Sequence, residues 1–204
     1  MKKRILTTTA VLMLFAMLLT VSAPAFAKTK TQTGSLQTMI VASGSGEEVA
    51  SFKGGKMDWQ DAVDVPTQYI AEFGWSSSVQ IEGATWITYD YQVNAPSDNS
   101  WYIYAKTFDI PGEVVSASIV ITADNAYALH VNGRLVGTDG NLYQPTADMG
   151  PLNWQTPETY DLTKPLKAGS NEIVVYVRNY GFVDATWQRN PTGLIFSISI
   201  TYVG

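Results

Sequence analysis

Few side chains in this 204-residue chain could make or break a covalent bond. It has no cysteine, which excludes disulfides, thiolate metal sites and cysteine nucleophiles. Its single histidine, His130, lies in "AYALHV", where it shares a face with Ala126 and Ala128 opposite Tyr127, Leu129 and Val131. That pattern reads as a strand residue on the outside of a sheet before it reads as a general base. No Gly-x-Ser-x-Gly elbow accompanies it, because "SGSGEE" has the wrong spacing. Glycoside hydrolysis needs two carboxyl groups about 5 to 10 Å apart. Glu72, Glu82, Glu113, Glu158 and Glu172 are available, but Glu113 follows Pro111-Gly112 in a turn and Glu172 opens a strand after Gly169. Nothing in the spacing pairs them, so the chain is expected not to be an enzyme.

Binding chemistry is better represented. Six Trp and 11 Tyr stand in a chain that is only 15% charged. Aromatic rings stack on the C–H faces of sugars while amides, carboxylates and guanidinium groups hold the hydroxyls. Trp86, Trp101 and Trp154 fall in strand or packing patterns and are assigned to the core. Trp187 differs: in "RNYGFVDATWQRNPTG" it is flanked by Asp184, Gln188 and Arg189, with Tyr180 at the exit of the preceding strand. It reads equally as a glycan platform or as a lid over one end of the core. Tyr143, in the long insertion Gly137 to Trp154, is the further aromatic candidate, and the loop Asn94 to Trp101 could join them. In the same insertion Asp139, Asn141 and Asp148 offer hard oxygen ligands for a structural calcium, although the D-x-D-x-D-G pattern is missing and Asp-Gly also makes an ordinary turn. No other cofactor is expected.

The elements that must position these loops are strands. From Ala84 onward short β-rich runs recur about every ten residues, the rhythm of a sandwich or barrel. Ile119, Ile121 and Ala123 alternate with Ser118, Val120 and Thr122, and Ile198 and Ile200 with Ser197, Ser199 and Thr201. Asn132-Gly133 is the strongest hairpin signal, since both residues tolerate the positive φ of a type I′ turn. Asp161 and Thr163 can close a capping turn ahead of the strand "NEIVVYV". The stretch 51–75 is broken by Pro66 and Gly74 and reads as coil with one short helical turn.

Residues 1–27 read as a cleaved signal peptide, with Lys2, Lys3 and Arg4 before an apolar run and Ala25 and Ala27 before Lys28. Residues 28–48 are expected to be a flexible leader and 49–204 a single domain. Without the signal's three basic residues, ten Lys and Arg face 18 Asp and Glu, a formal charge of −8. That balance argues against nucleic acid as a partner, and no further apolar run reaches the roughly 20 residues of a membrane span. The expected location is secreted, extracellular or at the cell surface.

"KTFDIPGEVVSASIVITADNAYALHVNGRLVG", "YDLTKPLKAGSNEIVVYVRN" and "NPTGLIFSISITY" together resemble the galactose-binding-like β-sandwich of secreted bacterial and archaeal proteins, as in the carbohydrate-binding accessory domains of rhamnosidase-type glycosidases. The resemblance runs over about Thr85 to Val203. It implies an all-β fold, a single antiparallel jelly roll, and carries no ligand contact over, because Asp124, Asn125, Asn132, Gly133, Asn171, Pro191 and Gly193 each have a structural use there. The leading reading is a non-catalytic module binding a glycan or cell-surface polysaccharide through Trp187, Tyr180, Tyr143, Arg189, Asp184 and Gln188. The alternative is a cell-surface or matrix assembly protein whose N-terminal segment pairs with a neighbour's sheet edge. The third is a small jelly-roll glycosidase.

Overall fold

Alternation in the strands becomes two layers. In a computed structural model describing residues 27–33, 39–44, 59–72, 74–75, 79–90, 100–143, 153–180 and 191–204, Ala117, Ile119, Ile121 and Ala123 are buried while Ser118 and Val120 are half-buried. The first sheet orders β10 (Glu158–Asp161), β7 (Glu113–Asp124), β12 (Gly193–Val203), β5 (Ile87–Thr88) and β4 (Val63–Asp64), with β1 (Ala27–Thr33) also paired to β12. The second orders β3 (Gln60–Asp61), β2 (Ile40–Gly44), β6 (Trp101–Ile110), β11 (Gly169–Arg178), β8 (Ala126–Val131) and β9 (Arg134–Asp139). Every pairing is antiparallel. The all-β, sandwich-like expectation is met.

Between the sheets, Ile119, Ile121, Phe196 and Ile198 meet Tyr104, Tyr127, Leu129, Val175 and Val177. Each such side chain contributes about 1.5–3 kcal/mol on burial, which lets a chain without disulfides stand on its core. His130 is half-buried on the outer face of the second sheet, edge-on to Tyr176 at 5.2 Å. Its placement is that of a strand residue, as its face-mates predicted.

The Asn132-Gly133 hairpin forms with φ of 51° and 75°, the left-handed values that Asn and Gly tolerate best. Asp161 accepts the backbone N–H of Thr163 at 2.8 Å, closing the expected capping turn. Of the β-rich region that begins at Ala84, Ile87–Thr88 forms a short strand, and the preceding Trp86 stacks on Trp75 with ring centroids 4.2 Å apart. The segment carrying α1 (Thr67–Glu72) packs Val65, Trp75, Val79 and Trp86 over the outer face of the first sheet, against Ile195 and Trp154.

The stretch expected to be a flexible leader is in part strand. Lys28 to Thr33 pairs with Ser197 to Tyr202, and Ile40 to Gly44 pairs with Trp101 to Ala105. The reason is backbone demand: β5 pairs with β12 only at Leu194, so the rest of that edge would otherwise carry unpaired N–H and C=O groups. Of residues 1–27, read as a signal peptide, 1–26 lie outside the described residues and Ala27 is the first residue of β1. Among the described residues no helix is long and apolar enough to cross a membrane.

Candidate functional site at one end of the sandwich

Strand register gathers a cluster that is scattered in sequence. Arg178 of β11 pairs with Trp101 on one side and Ala126 on the other, Tyr127 pairs with Asp139, and Gly193 with Asp124. The ends of β6, β9, β11 and β12 that border the three long loops therefore lie together with the turn at Asn125 between β7 and β8. Asn179 donates its N–H to the carbonyl of Ser100 at 2.9 Å, Asn125 to that of Arg178 at 3.1 Å, and Tyr180 to the side-chain oxygen of Asn125 at 2.8 Å.

Tyr143 is the exposed member. Its ring is 75% exposed and lies 5.9 Å from that of Trp101, inclined by 47°. Trp101 is buried, and the Arg178 guanidinium lies 5.5 Å from its ring centre and 5.6 Å from that of Tyr180. Arg178 donates to the Leu142 carbonyl at 2.7 Å, which ties the Tyr143 turn down. Asn141 accepts the Tyr143 N–H at 2.9 Å, completing an Asx turn that presents the ring. What results is a rigid aromatic surface with a cation beneath it, suited to stacking an uncharged ring.

Tyr180 does not play the part its sequence position implied. It is 4% exposed, and its hydroxyl accepts from the Asn141 N–H at 2.8 Å and donates to the Asn141 carbonyl at 3.0 Å. Burial leaves no ring face for a ligand, so Tyr180 is a pillar under the turn. Trp187, Asp184, Gln188 and Arg189 lie outside the described residues, between Tyr180 and Pro191. Of the calcium candidates, Asp139 accepts the Gly140 N–H at 2.8 Å and Asn141 serves the turn, while Asp148 lies outside the described residues. Among the described residues no three acidic or His side chains converge as metal ligands.

Two arrangements here had no signal in the sequence. Asp124 is buried, its Oδ2 accepts the Trp75 indole N–H at 3.1 Å, and its Oδ1 has no hydrogen-bond partner among the described residues. Burial pushes its pKa up to about 7, against the lowering pull of Trp75. Asp139 and Glu158 both titrate above the ordinary carboxylate range because of burial, and at Glu158 the nearby charge of Asp139 adds to the rise while the Tyr127 hydrogen bond opposes it. Tyr127 donates to Glu158 at 3.0 Å, and the Tyr160 hydroxyl stands 3.1 Å from that of Tyr127. Arg178 could have been noticed, as the one cation closing the apolar run "EIVVYVR". The carboxyl pair could not, since only the folded sheet brings Asp139 near Glu158.

No family model matches the chain. It is 26% identical over 110 residues to an α-L-rhamnosidase of Streptomyces avermitilis, a match covering 52% of this chain and 10% of that enzyme. The chain thus corresponds to about a tenth of the length of this curated relative. Among solved structures it is similar to the Streptomyces avermitilis α-L-rhamnosidase complexed with L-rhamnose, with 17% identity, 87% of this chain and 21% of that one covered and a TM-score of 0.47. It is also similar to a GH78 family rhamnosidase of Bacillus sp. GL1, with 29% identity, 61% and 13% covered and a TM-score of 0.42.

The relative matched by sequence is a glycoside hydrolase, and this points to a carbohydrate-related domain. It also overturns the expectation that the chain is not an enzyme. That expectation rested on the absence of a visible carboxylate pair, and such pairs are assembled by folding and not by spacing along the chain.

Proposed function

We propose that the chain is an exported, galactose-binding-like jelly-roll domain that binds neutral glycan at the Tyr143 end of the sandwich. The observation that carries this reading is the exposed Tyr143 ring, fixed by its Asx turn and lying against Trp101 over the buried Arg178 guanidinium. A sugar ring stacks on Tyr143; Trp187, Asp184, Gln188 and Arg189, outside the described residues, remain the sequence candidates for a second stacking ring and for contacts to its hydroxyls. L-Rhamnosides head the panel of ligands because the sequence relative is an α-L-rhamnosidase. Calorimetric titration of the full chain with rhamnosides and other neutral oligosaccharides should give saturable binding. Tyr143→Ala and Trp187→Ala should each weaken it at least about tenfold, which is roughly 1.4 kcal/mol. A flat response across the panel, or affinity indifferent to both substitutions, removes the proposal.

A second reading rests on the coupled carboxyls. In this reading Glu158, whose proton burial holds to higher pH than in an ordinary glutamic acid, would give a proton to a glycosidic oxygen, with Asp139 as the second carboxyl. Release of a chromophore from aryl glycosides, abolished in both Glu158→Gln and Asp139→Asn, is the result this reading requires. Turnover unchanged in either variant, or none in the native chain, ends it.

A further inference from the structure

The second sheet ends in a strand with one free side. β9 pairs with β8, and among the described residues no strand pairs with its other side. That side carries main-chain N–H and C=O groups open to another strand. Folded proteins guard such edges with Pro or Lys, and "RLVGTD" has neither. From β10 the Tyr160 hydroxyl reaches across to the Thr138 carbonyl at 3.3 Å. Arg134 and Leu135 stand exposed, Leu135 at 54%, which is unusual for a large apolar side chain in this fold.

The order of side chains along β9 reads the same from both ends. A bulge lets His130 face Leu135 and Leu129 face Gly137, with Val136 between them. Leu135 and Thr138 share the outer side of the sheet with His130 and Ala128, whereas Arg134 and Asp139 share the inner side with Val131 and Tyr127. Val136 packs on the core. Turned antiparallel to itself about a two-fold axis, the strand sets Arg134 opposite Asp139, Leu135 opposite Thr138 and Val136 opposite Gly137, each pair on one side of the sheet. Opposite charges then meet at both ends of the join, and the glycine leaves room for the bulged valine. Arg134 makes no ion pair among the described residues, so Asp139 of a second copy supplies what its own chain does not. A parallel pairing in register would set like charges side by side, which is unfavourable.

We infer that β9 is a self-association edge, along which two copies of this chain pair antiparallel over Arg134–Asp139 and join their second sheets into one. A six-residue edge is small beside the roughly 1,600 Å² of a standard interface, so the dimer is weak and depends on concentration. The pairing does not rest on glycan binding. Its consequence does: a dimer carries two Tyr143 surfaces and gains effective concentration at the second from binding at the first.

The test exploits the lack of native cysteine. Leu135→Cys combined with Thr138→Cys should cross-link two chains on mild oxidation, because the two positions face each other across the axis. Within one chain they lie three residues apart on a strand, roughly 10 Å, too far for a disulfide. Leu135→Cys alone, whose copies lie equally far apart in this register, should cross-link at least about fivefold less. Sedimentation equilibrium of the full chain should show a dimer that Leu135→Lys and Arg134→Asp each weaken at least about tenfold, since each change enters the interface twice. Arg134→Asp combined with Asp139→Arg should restore it. Leu135 and Arg134 are exposed, so their variants keep the test valid should the exchanged pair fail to fold. A chain that stays monomeric at its highest soluble concentration overturns the inference. So does a dimer indifferent to both exposed substitutions, or cross-linking as efficient with one cysteine as with two. No readout uses a sugar, so each stands whatever the Tyr143 surface binds.

Discussion

The two ends of the sandwich are built on opposite terms. At the hairpin end the Asn171 side chain is fully bonded: it gives its amide to the carbonyls of Lys167 and Gly169 at 2.7 and 2.8 Å. Its oxygen accepts from Lys167 at 3.0 Å and from the Asn132 amide at 2.9 Å. Asn132 in turn bonds Pro165 and Glu172. At the loop end, Asp124 and Asp139 each keep a buried carboxyl oxygen without a partner, and Tyr143 stands out in solvent. Saturated polar networks rigidify, whereas unsatisfied or exposed groups cost stability and persist where something else uses them. The difference separates a saturated hairpin end from the loop end that carries the proposed binding surface.

The sharpest way to break this comparison is pH. A carboxyl whose pKa is raised by folding keeps its proton longer in the native state, so stability falls as pH rises from the unfolded value of 3.8 to about 7 for Asp124. Across that window the loss should be roughly 4 kcal/mol, read as a lower urea midpoint at pH 8 than at pH 5. Asp124→Asn should flatten most of this slope and leave the smaller part owed to Glu158 and Asp139, which shift in the same direction. A midpoint independent of pH in the native chain would erase the contrast between the ends.

At the opposite end Asn171→Ala should cost roughly 3 kcal/mol at every pH, since it removes four part-buried hydrogen bonds at once. Binding at Tyr143 should stay intact in the protein that remains folded. Next in size is Gly140→Ala: Gly140 has φ 69°, and an added Cβ would come within 2.4 Å of the Asn153 amide and 2.7 Å of the Ala126 Cβ. The expected loss is roughly 1–2 kcal/mol, with weakened glycan binding because the neighbouring turn carries Tyr143. The smallest effect on stability belongs to Tyr143→Ala, under about 0.5 kcal/mol by thermal melting, since the ring is exposed. If that variant melts well below the native chain, Tyr143 is part of the scaffold and the loop end loses its claim.

How far the site could be read before folding depends on the range of the forces involved. Asn132-Gly133 was legible because a type I′ turn is decided by the φ preferences of two adjacent residues. The outward position of His130 was legible because a strand repeats every two residues. Tyr143 was legible as a loop aromatic, yet the same reasoning made Tyr180 a platform, and it is buried. Position at a strand exit says nothing about which neighbour will cover the ring, here the Asn141 turn, 39 residues away in the chain. The stretch 51–75 gave no period, and within it the strands Gln60–Asp61 and Val63–Asp64 are only two residues long, one in each sheet.

What the amino-acid sequence determined alone was local: strand alternation, the hairpin, the capping turn at Asp161, and the exclusion of cysteine chemistry. The second Trp layer over the first sheet, the seating of Lys28 to Thr33 on β12, the pairing of Asp139 with Glu158 and the buried carboxyl of Asp124 were decided by tertiary structure. Each of these depends on antiparallel register between strands tens of residues apart, and register is set by what the whole core can bury, which no short window of sequence contains.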